Sequence, residues 1–152
     1  MMKKLYIVAL IVMLIAGAVG CNSKTNTEYP WSITKSNMDI KNENEYIVMQ
    51  IVDDTLTPKG AQLVLYNNDQ NAISFGSEYF IQIYTNNSWY DIGIGNVDWT
   101  GELITVEAYC EYTVDLDWYS IYGEIPSGRY RIIKEYKQEN QPNLTFCEFE
   151  IP

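Results

Sequence analysis

The sequence predicts an all-β chain, an antiparallel β-sandwich of seven to eight short strands. From Tyr46 onward apolar residues recur with a period of two, the spacing of a strand with one buried face. Clusters of Asn, Asp, Gly and Pro break that pattern at short intervals, as hairpin turns do. The 13 Tyr and 4 Trp, beside abundant Ile, Val and Thr, fit a pleated, half-buried surface better than a helix.

Tyr46 to Val52 is a β-branched run broken by Asp53-Asp54. Thr57-Pro58-Lys59-Gly60 has turn chemistry, after which Ala61, Leu63 and Leu65 share one strand face. Asn67 to Asn71 is a loop. Tyr79, Ile81 and Ile83 then alternate with Phe80, Gln82 and Tyr84, and Thr85-Asn86-Asn87-Ser88 joins this strand to Trp89–Ile94 as a hairpin. The longest alternation runs from Ile104 to Leu116, with Ile104, Val106, Ala108, Cys110, Tyr112, Val114 and Leu116 on one parity. One face of it must be core and the other wet. Few strands exceed about ten residues, so a bend near Ala108-Tyr109 that makes two strands is the alternative. Tyr130 and Ile132, then Leu144 to Ile151, supply the last two strands, with Cys147, Phe149 and Ile151 facing alike.

The N-terminus has different chemistry. Met1-Met2-Lys3-Lys4 is basic, Leu5 to Val19 is apolar, and small residues precede Cys21. That order is a secretory signal peptide. With a cysteine directly after the small residues it resembles the lipobox of bacterial lipoproteins, although leucine is commoner where Ala18 stands. The resemblance implies that residues 1–20 are removed, that Cys21 carries diacylglycerol, and that the chain is lipid-anchored on the extracellular side of the cell membrane. The rival reading is a membrane span, but the apolar stretch is shorter than the ~20 residues that a spanning helix needs. Residues 21–45 are polar and read as a tether, with an r.m.s. span of roughly 25–30 Å if flexible. Tyr29-Pro30-Trp31-Ser32-Ile33 interrupts that polarity, either as a patch docked on the domain or as aromatic residues in a loop. The domain itself is expected over 46–152.

Removal of 20 residues from 152 leaves 132, the size of one domain. Lys3 and Lys4 depart with the leader, so 8 basic residues face 20 acidic ones and the formal charge becomes −12. Such a surface repels phosphate backbones, which argues against nucleic acid as a partner, and anionic head groups hold it off the bilayer. The chain has no histidine, which removes the Ser-His-Asp triad, the Cys-His dyad and imidazole-based zinc sites. No P-loop or dinucleotide fingerprint occurs. Asp53-Asp54 and the pair Asp115 and Asp117 are the best carboxylates for calcium or acid–base work, yet they fit a solvated face equally well and lack EF-hand spacing. No catalytic residue, metal or cofactor is therefore expected. Cys110 and Cys147 share core-facing parities and are the pair available for a disulfide, the alternative being two separate buried thiols.

Four motifs sharpen the fold class. They are Leu63-Val64-Leu65-Tyr66-Asn67-Asn68, Phe75-Gly76-Ser77-Glu78-Tyr79-Phe80-Ile81, Asn87-Ser88-Trp89-Tyr90, and Tyr122-Gly123-Glu124-Ile125-Pro126-Ser127-Gly128-Arg129-Tyr130-Arg131-Ile132. In this order, over about Tyr46 to Ile151, the chain resembles the bacterial immunoglobulin-like domain of extracellular lipoproteins from low-GC Gram-positive bacteria. The resemblance implies an immunoglobulin-like antiparallel β-sandwich with no defined activity. Within the last motif, Pro126 and Gly128 turn the chain between sheets, and Tyr130 is placed as in a tyrosine corner. Gly76 is expected to hold a backbone conformation closed to other residues. The expected function is a non-catalytic binding or interaction module with an envelope protein or glycan as partner. An accessory or structural subunit of an envelope complex, or a carboxylate-dependent hydrolase, are the alternatives. Tyr66, Phe80 and Tyr84, on the parity opposite the core, are the candidate binding surface, as are the loops Asn67 to Ser74 and Asn86 to Ser88.

Overall fold

Two antiparallel sheets lie face to face in the computed structural model, which describes residues 29–38, 40 and 44–152. The smaller is β2 (Ile47–Ile51), β3 (Ala61–Asn67) and β8 (Cys110–Leu116), in that order. The larger has seven strands: β1 (Ile33–Lys35), β6 (Ser88–Ile92), β5 (Phe80–Thr85), β9 (Gly128–Gln138), β4 (Ile73–Gly76) and β7 (Leu103–Val106) follow one another, and β10 (Gln141–Ile151) pairs with the other side of β9. Helical structure is confined, among the described residues, to a 3-10 turn at Asp53–Thr55 and the single turn α1 (Tyr119–Tyr122). The all-β sandwich read from the sequence is the fold that forms.

Alternation does what it predicts. Ile47, Met49 and Ile51 of β2 and Leu63 and Leu65 of β3 are buried against Ile81, Ile83, Ile132, Phe149 and Ile151 of the opposite sheet. Two-residue turns close the β5–β6 and β9–β10 hairpins at Asn86-Asn87 and Glu139-Asn140. Their φ angles of 49° and 58°, and of 51° and 64°, are the left-handed pair that such a hairpin demands and that Asn tolerates.

One pole is sealed by aromatic rings. Phe149 stacks between Trp118 and Tyr130, with centroids 5.4 Å and 5.6 Å away. Trp118 donates its indole N–H to the Pro58 carbonyl at 3.0 Å, so its one polar atom is satisfied although the residue is fully buried. Tyr130 donates its hydroxyl to the Pro126 carbonyl at 2.7 Å, the expected tyrosine corner. Glycine is favoured at 128 by its φ of 157°, which L side chains rarely adopt, and a Cβ there would also crowd the Tyr130 ring at 3.3 Å. At the opposite pole Asn67, 0% exposed, donates its amide to the carbonyls of Asn71, Val106 and Glu107 and accepts from the Asp69 N–H. It thereby ties the β3–β4 loop to the turn between β7 and β8.

Several expectations need correction. The described residues hold ten strands, not seven or eight. Of the two readings of the alternation from Ile104 to Leu116, the bend is the one that forms: two strands are broken at Tyr109, whose φ of 57° turns the chain from the large sheet to the small one. Part of the stretch 21–45, read as a tether, belongs to the domain. Ile33–Lys35 pairs with Tyr90–Ile92, the Trp31 indole donates to the Tyr122 carbonyl, and Tyr29 stacks on Trp31, so the aromatic patch docks on the domain. The domain thus begins ahead of Tyr46. Gly76 has no positive φ, and a Cβ there would meet its nearest neighbour only at 3.9 Å. No disulfide forms: Cys110 is exposed at the start of β8, Cys147 is buried in β10 of the other sheet, and both are free thiols. Cys110 keeps the parity of Tyr112, Val114 and Leu116, but as the first residue of β8, next to the turn at Tyr109, it lies at the end of the sandwich where the core no longer covers it. Residues 1–20 and Cys21 lie outside the described residues.

Tyr130→Phe is expected to lower stability by about 1 kcal/mol, the worth of one hydrogen bond, and Trp118→Ala by about 3–5 kcal/mol through the cavity it leaves. Denaturant titration measures both. In a Cys21→Ser chain, Cys110 should react at once with an aromatic disulfide reagent. Cys147, whose thiol burial pushes up to about 12, should react only on unfolding. Absence of free thiol after unfolding in the absence of reductant would restore the disulfide.

Candidate functional site

The outward face of the large sheet carries a ladder of rings and guanidinium groups. Register places them: Tyr84 stands opposite both Trp89 and Arg129, Gln82 opposite Asp91 and Arg131, and Phe80 opposite Ile133, which in turn faces Phe146 on β10. Tyr84 and Trp89 meet edge to face at 5.1 Å. The Arg129 guanidinium lies 4.8 Å from the Tyr84 centroid and 5.7 Å from that of Trp89, and pairs with Glu148. Arg131 lies 4.4 Å from the centroid of Trp89 and 5.5 Å from that of Phe146. Its Nε donates to Gln82 Oε1 at 2.6 Å, and Gln82 Nε2 donates to Asp91 at 2.6 Å and to Ser36 Oγ at 2.9 Å.

These contacts fix the side chains before any partner arrives. The hydrogen bond and charge of Glu148 raise the Arg129 pKa further, while burial lowers that of Arg131, partly opposed by Glu148 and Asp91. Ile133 faces outward yet is fully buried in the ladder, and Phe80 is 45% exposed beside it. A face of Arg, Trp, Tyr and Phe with its rotamers already held offers contact area without ordering cost.

Of the surface predicted from parity, Phe80 and Tyr84 belong to this face. Tyr66 does not: it lies on β3, opposite Val48 and Glu111 in the small sheet. Parity says which residues point outward and is silent on which sheet they leave from. Trp89, Arg129, Arg131 and Phe146 complete the ladder and were missed. The signal that could have found them is Arg129 and Arg131 alternating against Glu148 and Glu150 on the next strand.

A second feature lies between the sheets on the β7–β8 side, a cleft of about 400 Å³. Lys134, 2% exposed, donates Nζ–H bonds to the carbonyls of Gly76 and Glu78, both at 2.9 Å, and sits 5.0 Å from the Phe75 centroid. Tyr79, 4% exposed, has a hydroxyl with no partner among the described residues, and its ring meets Trp99 edge to face at 5.3 Å. Asp115 and Asp117 are engaged separately, by Gln62 Nε2 and by the Tyr119 N–H. Among the described residues no group of three or more His, Cys, Asp and Glu is placed to hold a metal, and no helix is long and apolar enough to cross a membrane. The loop Asn67 to Ser74 is held by its own side chains, for Asp69 accepts from the Asn71 N–H at 3.0 Å.

Burial drives the Lys134 pKa down to about 8, the charge of Glu78 opposing it only in part. The unfolded value, about 10.4, is higher, so the unfolded chain binds the proton more strongly. The full penalty is present below pH 8 and is relieved as the pH rises from about 8 to about 10.4. Wild-type stability should therefore climb between pH 8 and 10 by up to about 1.4 kcal/mol per unit relative to Lys134→Met. Parallel profiles for the two proteins would show that Lys134 is no more basic in the unfolded chain.

Comparison with known proteins places this architecture. No curated protein matches the chain. The family model described as a bacterial Ig-like domain matches residues 26–147, which include β1 through the first part of β10. With its two facing sheets, its tyrosine corner and a match over most of its length, the chain belongs to the bacterial Ig-like domain family.

Proposed function

We propose that the protein is a non-catalytic interaction module, held at the outer side of the cell membrane by lipid on Cys21, that binds an envelope protein through the outward face of its large sheet. The observation that carries this reading is the prearranged ladder of Tyr84, Trp89, Arg129, Arg131 and Phe146 with the half-exposed Phe80 at its end. Interface energy concentrates in such side chains, and those already locked lose little entropy on binding. Family membership supports the non-catalytic part, since such domains are typically non-enzymatic. The run from Lys3 to Cys21 supports the anchor, because two acyl chains at ~0.8 kcal/mol per buried CH₂ hold a protein stably in a bilayer. The net acidity of the chain would keep the domain clear of anionic lipid and leave the sheet face open to a partner.

Two measurements test this. A fatty-acid probe fed to cells should label the wild type and leave Cys21→Ser dark; equal labelling removes the anchor. Cross-linking from intact envelope should capture a partner, with Phe80→Ser and Tyr84→Ser each weakening capture about tenfold or more while the melting temperature moves by only a few degrees. Undiminished capture by both variants moves the contact to another face.

A further inference from the structure

The cleft beside β7 and β8 contains polar groups whose bonding capacity the sandwich does not use up. Tyr79 is almost wholly buried, yet its hydroxyl has no partner among the described residues. An orphaned buried hydroxyl is destabilising by about 1–3 kcal/mol, so it asks for an occupant. Lys134 has three N–H donors and spends two on the carbonyls of Gly76 and Glu78. Phe75, Tyr79, Trp99 and Tyr112 supply the ring walls, and Asp98, Glu102 and Asp117 stand among the lining residues as acceptors. The volume, about 400 Å³, falls in the range of small-molecule sites.

The cover is as informative as the floor. Gly93 to Glu102 has no regular secondary structure and runs along the mouth of the cleft, with Val97 to Thr100 lining it. Gly95 and Gly101 flank the stretch, and a Cβ at either would meet nothing within 4 Å. Trp99 lies between them and packs on the Tyr79 ring. Movement of that indole would open the ring packing around Tyr79.

We infer that this cleft binds a neutral, polyhydroxylated ring, a glycan unit, with Trp99 as its movable cover. Charge selects the class. An anion meets the carboxylates of Asp98, Glu102 and Asp117 on the way in, and a cation meets the Lys134 ammonium at the floor. A sugar hydroxyl both donates and accepts, so it serves the acidic rim and the Tyr79 and Lys134 donors together. The C–H faces of a pyranose lie flat on aromatic rings, which the cleft provides. This site is independent of the sheet face, which lies on the outside of the large sheet.

Titration of the protein with neutral trisaccharides of glucose, N-acetylglucosamine and xylose, up to about 10 mM, followed by tryptophan fluorescence and calorimetry, tests it. A saturable signal is expected for at least one of them. Trp99→Phe should abolish the fluorescence change, which assigns it among the four tryptophans. Tyr79→Phe and Lys134→Met should each weaken calorimetric binding by up to about tenfold, and melting curves check that both remain folded. Phe80→Ser should bind the sugar as the wild type does, which separates this site from the sheet face. No saturable binding by any of the sugars overturns the inference, as does saturation by a short neutral peptide alone. Binding that survives unchanged in Tyr79→Phe and Lys134→Met also overturns it.

Discussion

A gap in one hydrogen-bond ladder organises this molecule. Strand β9 pairs with β10 along its whole length, but its other side is divided between β5, from Arg129 to Ile133, and β4, at Lys137 and Gln138. Between them the chain from Ser77 to Tyr79 leaves β9, and the carbonyls of Gly76 and Glu78 are bound by a side chain. Buried carbonyls cannot go unpaired. The Lys134 ammonium takes both, which explains a lysine on the inward face of a central strand. The desolvation that this imposes is offset by two charge-assisted bonds and the Phe75 ring, and its residue is the depressed basicity of the amine.

The same strand shapes the outer surface. With Lys134 turned in, Ile133 is turned out, and an apolar residue in the middle of a wet face must be covered. Phe80 and Phe146 flank it by register on either side. Arg131 then finds rings on both sides of it and Gln82 as an acceptor, and Arg129 rests on Tyr84. The aromatic face is thus the outward half of the arrangement whose inward half is the lysine and the cleft. What these structural needs leave over is the unpartnered Tyr79 hydroxyl on the inner side and the exposed part of Phe80 on the outer, which is why each side is read as a place of contact.

Much of this was legible in the sequence, and the failures have physical causes. The parity of β3, β5 and β10 identified buried residues on each, and the Pro126 to Tyr130 corner was readable because its chemistry is local. β1 was not, since a three-residue edge strand with one half-buried side chain carries no periodic signal and exists only by pairing with β6. Cys110 was misplaced because alternation assigns a side but not a depth: it shares the parity of Tyr112, Val114 and Leu116, yet starts β8 beyond the edge of the core. Tyr66 was grouped with Phe80 and Tyr84 because alternation gives a side of a sheet but not the identity of the sheet. The cleft was invisible for a deeper reason: Tyr79 precedes β5, Trp99 lies in the connection from β6 to β7 and Lys134 stands at the gap in β9, so only the tertiary fold brings them together.

The two sides of the sandwich differ in how tightly the sheets are joined, which suits them to the two different contacts proposed. On one side Thr145 of β10 donates to the Ile47 carbonyl of β2 at 3.3 Å, so the edges of the two sheets are bonded across the core. On the other side β7 and β8 are consecutive strands of opposite sheets, and the chain between them must cross the gap rather than fill it. Asn67 holds that crossing at one pole, while the Gly-flanked segment bearing Trp99 covers the opening further along. The bonded side and the β9–β10 hairpin give the aromatic face a rigid base, as a protein interface wants. The open side retains a cover of irregular chain over unspent donors, the arrangement a small ligand needs in order to enter a β-sandwich.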